Sequence, residues 1–190
     1  INIEMLVRKN LDYAESFLQL SKVEALPDTS LYPCDMHAVL DAAHAQALAL
    51  GASKLITVEV ERHADEAWVT GEISLLERAA INLISNAIKF SPSHSVLKLV
   101  LSQHRGRYTL SVIDQGSGIS ELDQESLFTP FTRGAKLNNE HGAGLGLSFV
   151  AMVMSRFKGE VEVQSRVGEG STFTLSLPAL SDEAVGSYFS

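Results

Sequence analysis

At 190 residues with 45% hydrophobic content, the chain can bury one well-packed core with a small appendage and is too short for two full domains. A net charge of -8 and a pI near 5.2 disfavour nucleic acid as the main partner, because no broad basic surface is available to meet a phosphate backbone. The lone Cys34 closes no internal disulfide and builds no metal cluster, and no stretch approaches the ~20 consecutive apolar residues of a membrane span.

Val7, Leu11, Ala14, Leu18, Ser21 and Ala25 recur at spacings of four and three, and Leu6, Tyr13, Phe17 and Leu20 widen the stripe. Residues 1 to about 25 are therefore predicted as one amphipathic helix, whose face suits either a helical bundle or packing on its own domain. The start at Ile1 rather than Met reads as a piece of a longer protein, with any targeting or membrane segment upstream and this piece soluble in a reducing, cytoplasmic setting. Pro27 to Cys34 reads as a hinge running into a short extended segment. Asp35 is the expected N-cap of a helix over Met36 to Leu50, with Val39, Leu40, Ala43, Ala47 and Leu50 on one face and Gly51 as its stop. Ile56, Val58 and Val60 alternate with polar neighbours as in a half-buried strand, and Trp68-Val69 suggests another, with the tryptophan packing rather than binding.

Ser74 to Phe90 is the clearest helix: Ser74 and Glu77 have capping-box spacing, and Leu75, Leu76, Ala79, Leu83 and Ala87 give an apolar face. Asn82, Asn86 and Lys89 fall at i, i+4 and i+7 and form one polar row, which is either a solvated face or a ligand-facing one. Two strands, Val96 to Ser102 and Tyr108 to Ile113, flank the turn His104-Arg105-Gly106, and Asp114 stands at the end of the second. A helix from Leu145 to Lys158 closed by Gly159, a strand with Val161 and Val163, a Gly168-Glu169-Gly170 turn and a strand with Phe173, Leu175 and Leu177 complete the pattern. The residues beyond Pro178 show no periodicity and read as a loose tail.

Two glycine clusters, Gly116-Ser117-Gly118 after a strand and Gly142-Ala143-Gly144-Leu145-Gly146 before a helix, have the layout of a phosphate-binding loop system. Helix-opening amides can meet a polyphosphate, Asp114 can accept from an exocyclic amine, and Gly116 and Gly118 leave room for a flat ring, a combination that favours adenine. Asn86 offers an oxygen to Mg²⁺ and Lys89 a point charge to a phosphate.

The runs Asn82-Leu83-Ile84-Ser85-Asn86-Ala87-Ile88-Lys89-Phe90, Asp114-x-Gly116-x-Gly118-Ile119, Phe128-x-Pro130-Phe131-x-Arg133 and Gly142-x-Gly144-Leu145-Gly146-Leu147 resemble, in order and spacing, the asparagine, first glycine, phenylalanine and second glycine boxes of sensor histidine kinases. With Gly168-x-Gly170-Ser171-Thr172-Phe173 the resemblance runs from about residue 35 to 178. It implies an α+β fold, a two-layer α/β sandwich of the Bergerat type with a mixed sheet backed by helices, binding ATP and Mg²⁺. Asp114 would take the adenine amine, Asn86 the metal, Asn82 and Lys89 the phosphates or the metal shell, and Gly144 to Gly146 the phosphates. Gly116, Gly118, Ile119, Phe131, Gly142, Leu145, Leu147 and Thr172 would line the nucleotide. Residues from about Ser120 to His141 would form a lid, with Arg133 reaching the γ-phosphate.

The same resemblance makes residues 1-26 the second helix of a dimerisation and phosphoacceptor hairpin and 27-34 a hinge. It implies a homodimer, a phosphoacceptor histidine outside this chain, and a response regulator as downstream partner. None of His37, His44, His63, His94, His104 or His141 has the setting of that histidine. Glu72 stands where the family often has aspartate. ATPases of the same fold usually carry a glutamate where this chain has Asn82, and an amide cannot deprotonate water, which favours phosphoryl transfer to another nucleophile. A nucleotide-holding scaffold without kinase activity is the competing class.

Overall fold

The computed structural model describes residue 14, residue 18 and residues 21–28, 31–129 and 146–189. Strands β1 (Tyr32–Asp35) and β3 (Trp68–Gly71) pair antiparallel as a two-stranded sheet. The main sheet has the order β2-β4-β5-β7-β6, built from β2 (Thr57–Arg62), β4 (Val96–His104), β5 (Arg107–Asp114), β6 (Glu160–Arg166) and β7 (Gly170–Pro178). β2 runs parallel to β4 and every other neighbour is antiparallel, so the sheet is mixed as expected.

One face of this sheet carries the core. Leu97, Leu99 and Leu101 of β4, Tyr108, Leu110 and Val112 of β5 and Phe173, Leu175 and Leu177 of β7 are all buried, while the residues alternating with them, Ser176 apart, are not. That alternation is the period of two expected of a sheet covered on one side only. Helices α1 (Met36–Gly51), α2 (Ile73–Phe90) and α4 (Gly146–Arg156) cover it, with α2 packed against both α1 and α4. Leu76, Ala79, Ala80, Leu83, Ile84, Ala87 and Ile88 form the buried stripe of α2, leaving Asn82, Asn86 and Lys89 along its half-buried margin. The polar row is therefore not a freely solvated face.

Asp35 caps α1 as the sequence suggests, accepting from His37 N at 2.8 Å. The helix ends at Gly51, but this glycine keeps a right-handed backbone, φ -75°, and is not the left-handed cap. The chain continues through a 3-10 turn, Ala52–Lys54, and reverses at Leu55, whose φ is 55°. Leu50 lies on the exposed side. The capping box at Ser74 is also replaced: Glu72 is the N-cap of α2, its carboxylate accepting from Ser74 N at 3.1 Å and Leu75 N at 3.0 Å. A glutamate reaches both orphan amides because its longer side chain folds back over the first turn. Lys158, with φ 57°, takes the left-handed position after α4 that was expected of Gly159. The tail is not loose throughout, since α5 (Asp182–Phe189) forms after Leu180 N bonds to Trp68 O. A short helix α3 (Glu121–Gln124) follows the first glycine cluster.

Of the N-terminal helix, residues 14, 18 and 21–24 are helical and the rest of the predicted span lies outside the described residues. Leu18 is 60% exposed whereas Val23 is fully buried. Arg156 Nη2 of α4 fastens the segment that follows, donating to Leu26 O and to Asp28 Oδ1, each at 2.6 Å. Val23, Phe128 and Met152 line the cleft beside this clasp. Cys34 is a core residue, its thiol pushed up to about 11 by burial and by the nearby Glu72 charge.

Candidate functional site

The in-facing run Tyr108, Leu110, Val112 of β5 ends in Asp114, so strand parity alone drives a carboxylate into the core face, where it is 6% exposed. Its Oδ1 accepts from Gly116 N at 2.7 Å and from Ser171 N at 3.2 Å. Among the described residues no donor reaches Oδ2. Burial pushes this carboxyl above the ordinary aspartate range, and the Gly116 and Ser171 amides pull it partly back. The result is a fixed acceptor in a poorly hydrated setting, suited to one amine donor.

The two glycine clusters meet the two ends of the same stretch of α2. A Cβ on Gly116 would lie 3.0 Å from Phe90 O, and one on Gly146 would lie 3.0 Å from Asn82 Oδ1. Asn82 and Phe90 are eight residues apart on one helix, a span of about 12 Å at 1.5 Å per residue. Asn86 and Lys89 lie between them. A nucleotide laid along α2 would thus meet Asp114 at one end and the opening of α4 at the other.

Asn82 donates Nδ2 to Arg78 O at 3.0 Å, which leaves its Oδ1 toward Gly146. The half-buried Asn86 side chain makes no hydrogen bond with the described residues, an unusual state for a carboxamide within a packed domain. Its oxygen is a hard donor of the kind Mg²⁺ takes. Among the described residues no cluster of His, Cys, Asp or Glu could hold a metal. A cation here would rely on this carboxamide together with ligand oxygens and water. Lys89 Nζ lies 5.1 Å from the centre of the Phe90 ring. Arg78, one turn before Asn82, stacks its guanidinium over Phe149 of α4 at 5.3 Å, joining the two helices beside the site.

Two sequence expectations change. Thr172 pairs with Ile113 on the face of the sheet opposite Asp114, and Ser171, which pairs with Asp114, is the residue at the site. The room made by Gly118 is filled by protein: at φ 67°, a Cβ there would sit 1.9 Å from Arg166 O. Gly170, at φ 93°, has a virtual Cβ 2.1 Å from Asp114 O. These two positions let the β6-β7 turn close directly on the first glycine cluster, where Gly168 N bonds to Ser117 O at 2.7 Å. Gly146 abuts Asn82, and Ile119 and Leu147 pack on the core. Phe131, Arg133, Gly142, Gly144 and Leu145 lie outside the described residues.

Lys54 is a residue that pattern reading misses. Its Nζ donates to Ile88 O, Lys89 O and Ser91 O at 2.9, 2.8 and 2.9 Å, satisfying the carbonyl end of α2. A cation at a helix C-terminus is favoured by the dipole and by the orphan acceptors there. Because Phe90 O abuts Gly116, this grip also sets the height of the first glycine cluster.

Residues 71–181, more than half of the chain, match the family described as histidine kinase-, DNA gyrase B- and HSP90-like ATPase. The chain belongs to that family. Within this ATPase family it is similar to the sensor-like histidine kinase SenX3 of Mycobacterium tuberculosis, 42% identical over 114 residues that make 59% of this chain and 28% of SenX3. Similarity extends to the sensor histidine kinase RppB of Synechocystis, 31% identical over 136 residues, 70% of this chain and 30% of RppB. The chain thus spans less than a third of the length of these relatives. Among solved structures, the mycobacterial sensor histidine kinase MprB superposes with a TM-score of 0.68 at 29% identity, covering 78% of this chain and 97% of that one. Full-length ShkA in complex with AMPPNP shares the fold, with a TM-score of 0.77 at 23% identity, over 93% of this chain and 38% of that one. The family match and the sheet topology together make this the α+β ATP-binding fold of histidine kinase catalytic domains.

Proposed function

We propose that this chain supplies the ATP-binding catalytic unit of a two-component sensor histidine kinase, passing the γ-phosphoryl group to a histidine outside residues 1–190 for relay to a response regulator. The observation that supports the reading is that the glycine cluster after Asp114 and the opening of α4 abut Phe90 and Asn82, the two ends of one ~12 Å stretch of α2 that carries Asn86 and Lys89 between them. Asp114 Oδ2 accepts the adenine amine, and the opening of α4 at Gly146 faces the phosphates. Asn86 Oδ1 would hold Mg²⁺, which would supply charge neutralisation to the triphosphate. Asn82 and Lys89 contact the phosphates or the hydrated ion.

The half-buried Asn82 supports transfer over hydrolysis. Its amide has no basic electron pair to deprotonate water, and its Nδ2 is already committed to Arg78 O. On this reading residues 1–26 are the second helix of a dimerising hairpin, 27–34 a hinge, 35–178 the catalytic domain and 179–190 an appended tail. The exposed Leu18 supports a missing helical partner. Among the described residues no helix is long and apolar enough to cross a membrane. The reading places the catalytic unit in the cytoplasm and leaves any anchor to the parent's upstream segments.

The test is a longer chain that includes the preceding hairpin helix, incubated with γ-labelled ATP and Mg²⁺. An acid-labile, base-stable label is expected, as for phosphohistidine. An acid-stable label would assign a serine or threonine kinase instead, and no label with intact ATP binding would leave a nucleotide-holding scaffold.

A further inference from the structure

Ser165 is the last in-facing residue of edge strand β6, following Val161 and Val163 at a position where a third apolar residue would continue the alternation. Its hydroxyl is fully used. It donates to Gly170 O at 2.9 Å, accepts from Ile119 N at 2.8 Å, and lies 2.9 Å from Ser171 Oγ. With its one hydrogen on Gly170 O, the Ser171 hydroxyl is the donor in the last of these. Two segments therefore converge on one oxygen: the turn after Gly118, through Ile119 N, and the start of β7, through Gly170 O and the hydroxyl of Ser171, whose own N–H rests on Asp114 Oδ1.

The other side of Ile119 is held as well. Gln124 of α3 donates Nε2 to Ile119 O at 2.8 Å and to Ser165 O at 3.0 Å. Both polar groups of the Ile119 backbone are thus bound by side chains, and both side-chain ties lead to residue 165. Neither Ser165 nor Gln124 hydrogen-bonds Asp114 itself.

We infer that Ser165, braced by Gln124, is a positioning residue for base recognition: it fixes the Ser171 amide and the Gly118-Ile119 turn around the Asp114 carboxylate. The inference rests on the nucleotide reading given above and adds to it the residues that set base selectivity. Loss of the hydroxyl frees Ile119 N, Gly170 O and the Ser171 hydroxyl at once, so the carboxylate is no longer held at one angle to an incoming amine. A purely structural role would weaken all nucleotides alike. A positioning role weakens the nucleotide whose base presents the amine.

The experiment measures affinities for ATP and GTP, each with Mg²⁺, on the full 190-residue chain and on Ser165→Ala, Ser165→Thr and Gln124→Met, with circular dichroism as the control for folding. Ser165→Ala should lower ATP affinity roughly tenfold, the scale of one to two net hydrogen bonds, with GTP affinity unchanged. Ser165→Thr should restore the ATP preference, and Gln124→Met should give a smaller loss of the same kind. If Ser165→Ala does not fold, Ser165→Cys keeps the volume without the strong hydrogen bonds and carries the same expectation. An unchanged ATP-to-GTP ratio in the folded variants, with the parent chain binding ATP, overturns the inference alone. A parent chain that binds neither nucleotide overturns the reading beneath it as well.

Discussion

At the Asp114 end of the site, the carboxylate accepts two backbone N–H groups and Ser165 uses its whole hydroxyl on three partners. Along α2, by contrast, Asn86 makes no side-chain hydrogen bond with the described residues and Asn82 commits only its nitrogen. The first region is completed by the protein itself, through close backbone approach at Gly118 and Gly170. On the proposed reading, the second is left to oxygen ligands, a cation and water. On that reading, preorganisation at the Asp114 end would limit the ordering cost of binding there, while the open carboxamides would let the triphosphate and its ion bring their own partners. The base end should therefore decide which nucleotide binds, and the asparagine row how strongly binding depends on the metal.

The sharpest way to break this contrast is Asp114→Asn. It should lower ATP affinity about 100-fold, or ~2.7 kcal/mol, in calorimetric titration, because an amide cannot accept two N–H groups and an amine without opposing donors. The same residue sets a pH dependence. Its folded-state carboxyl titrates above the unfolded value because of burial, so the ionised form destabilises the free domain and that cost fades as pH falls through the raised value. ATP affinity in the parent chain should weaken over that same fall, beginning above the ordinary aspartate range, and Asp114→Asn should remove the dependence.

Next in size is Lys54→Met, which leaves three carbonyls at the end of α2 without their donor. A loss of ~2 kcal/mol is expected in urea unfolding. An unchanged midpoint would mean that water replaces the ammonium. Asn86→Ala should then separate function from stability. The Mg²⁺-dependent part of ATP affinity should disappear, roughly tenfold or ~1.4 kcal/mol, while affinity in chelator stays put. Stability should hold or rise by ~0.5 kcal/mol, since alanine is the better helix former. The smallest effect belongs to Glu72→Ala, expected to cost ~1 kcal/mol of stability through the lost cap with little change in ATP affinity.

Much of this site could be read from residue order because its parts are local. Asp114 extends the alternation of Tyr108, Leu110 and Val112, and Asn82, Asn86 and Lys89 share one helical row, so each position follows from a period of two or about 3.6. What escaped depends on partners far away in sequence. Lys54 grips carbonyls more than 30 residues on, and nothing about a lysine before a strand announces that. Ser165 meets mostly backbone, whose direction pattern does not reveal. The spacing of the closing motif does not fix its parity, whereas the pairing of Asp114 with Ser171 does and puts Thr172 on the opposite face. Glu72 takes the cap from Ser74 because its longer carboxylate reaches both the Ser74 and the Leu75 amides, a reach that spacing alone does not announce. The tail helix is eight residues long and contains Gly186, too short and too mixed for its period to stand out.

On the proposed reading Asp114 and the asparagine row serve one ligand. A titration of the ¹⁵N-labelled chain with a non-hydrolysable ATP analogue and Mg²⁺, followed by backbone amide shifts, tests it directly. Gly116 and Ile119 at one end and Asn82, Asn86 and Gly146 at the other should move along a single binding curve with one Kd. Movement confined to one end, or two curves with separate constants, would contradict a shared site.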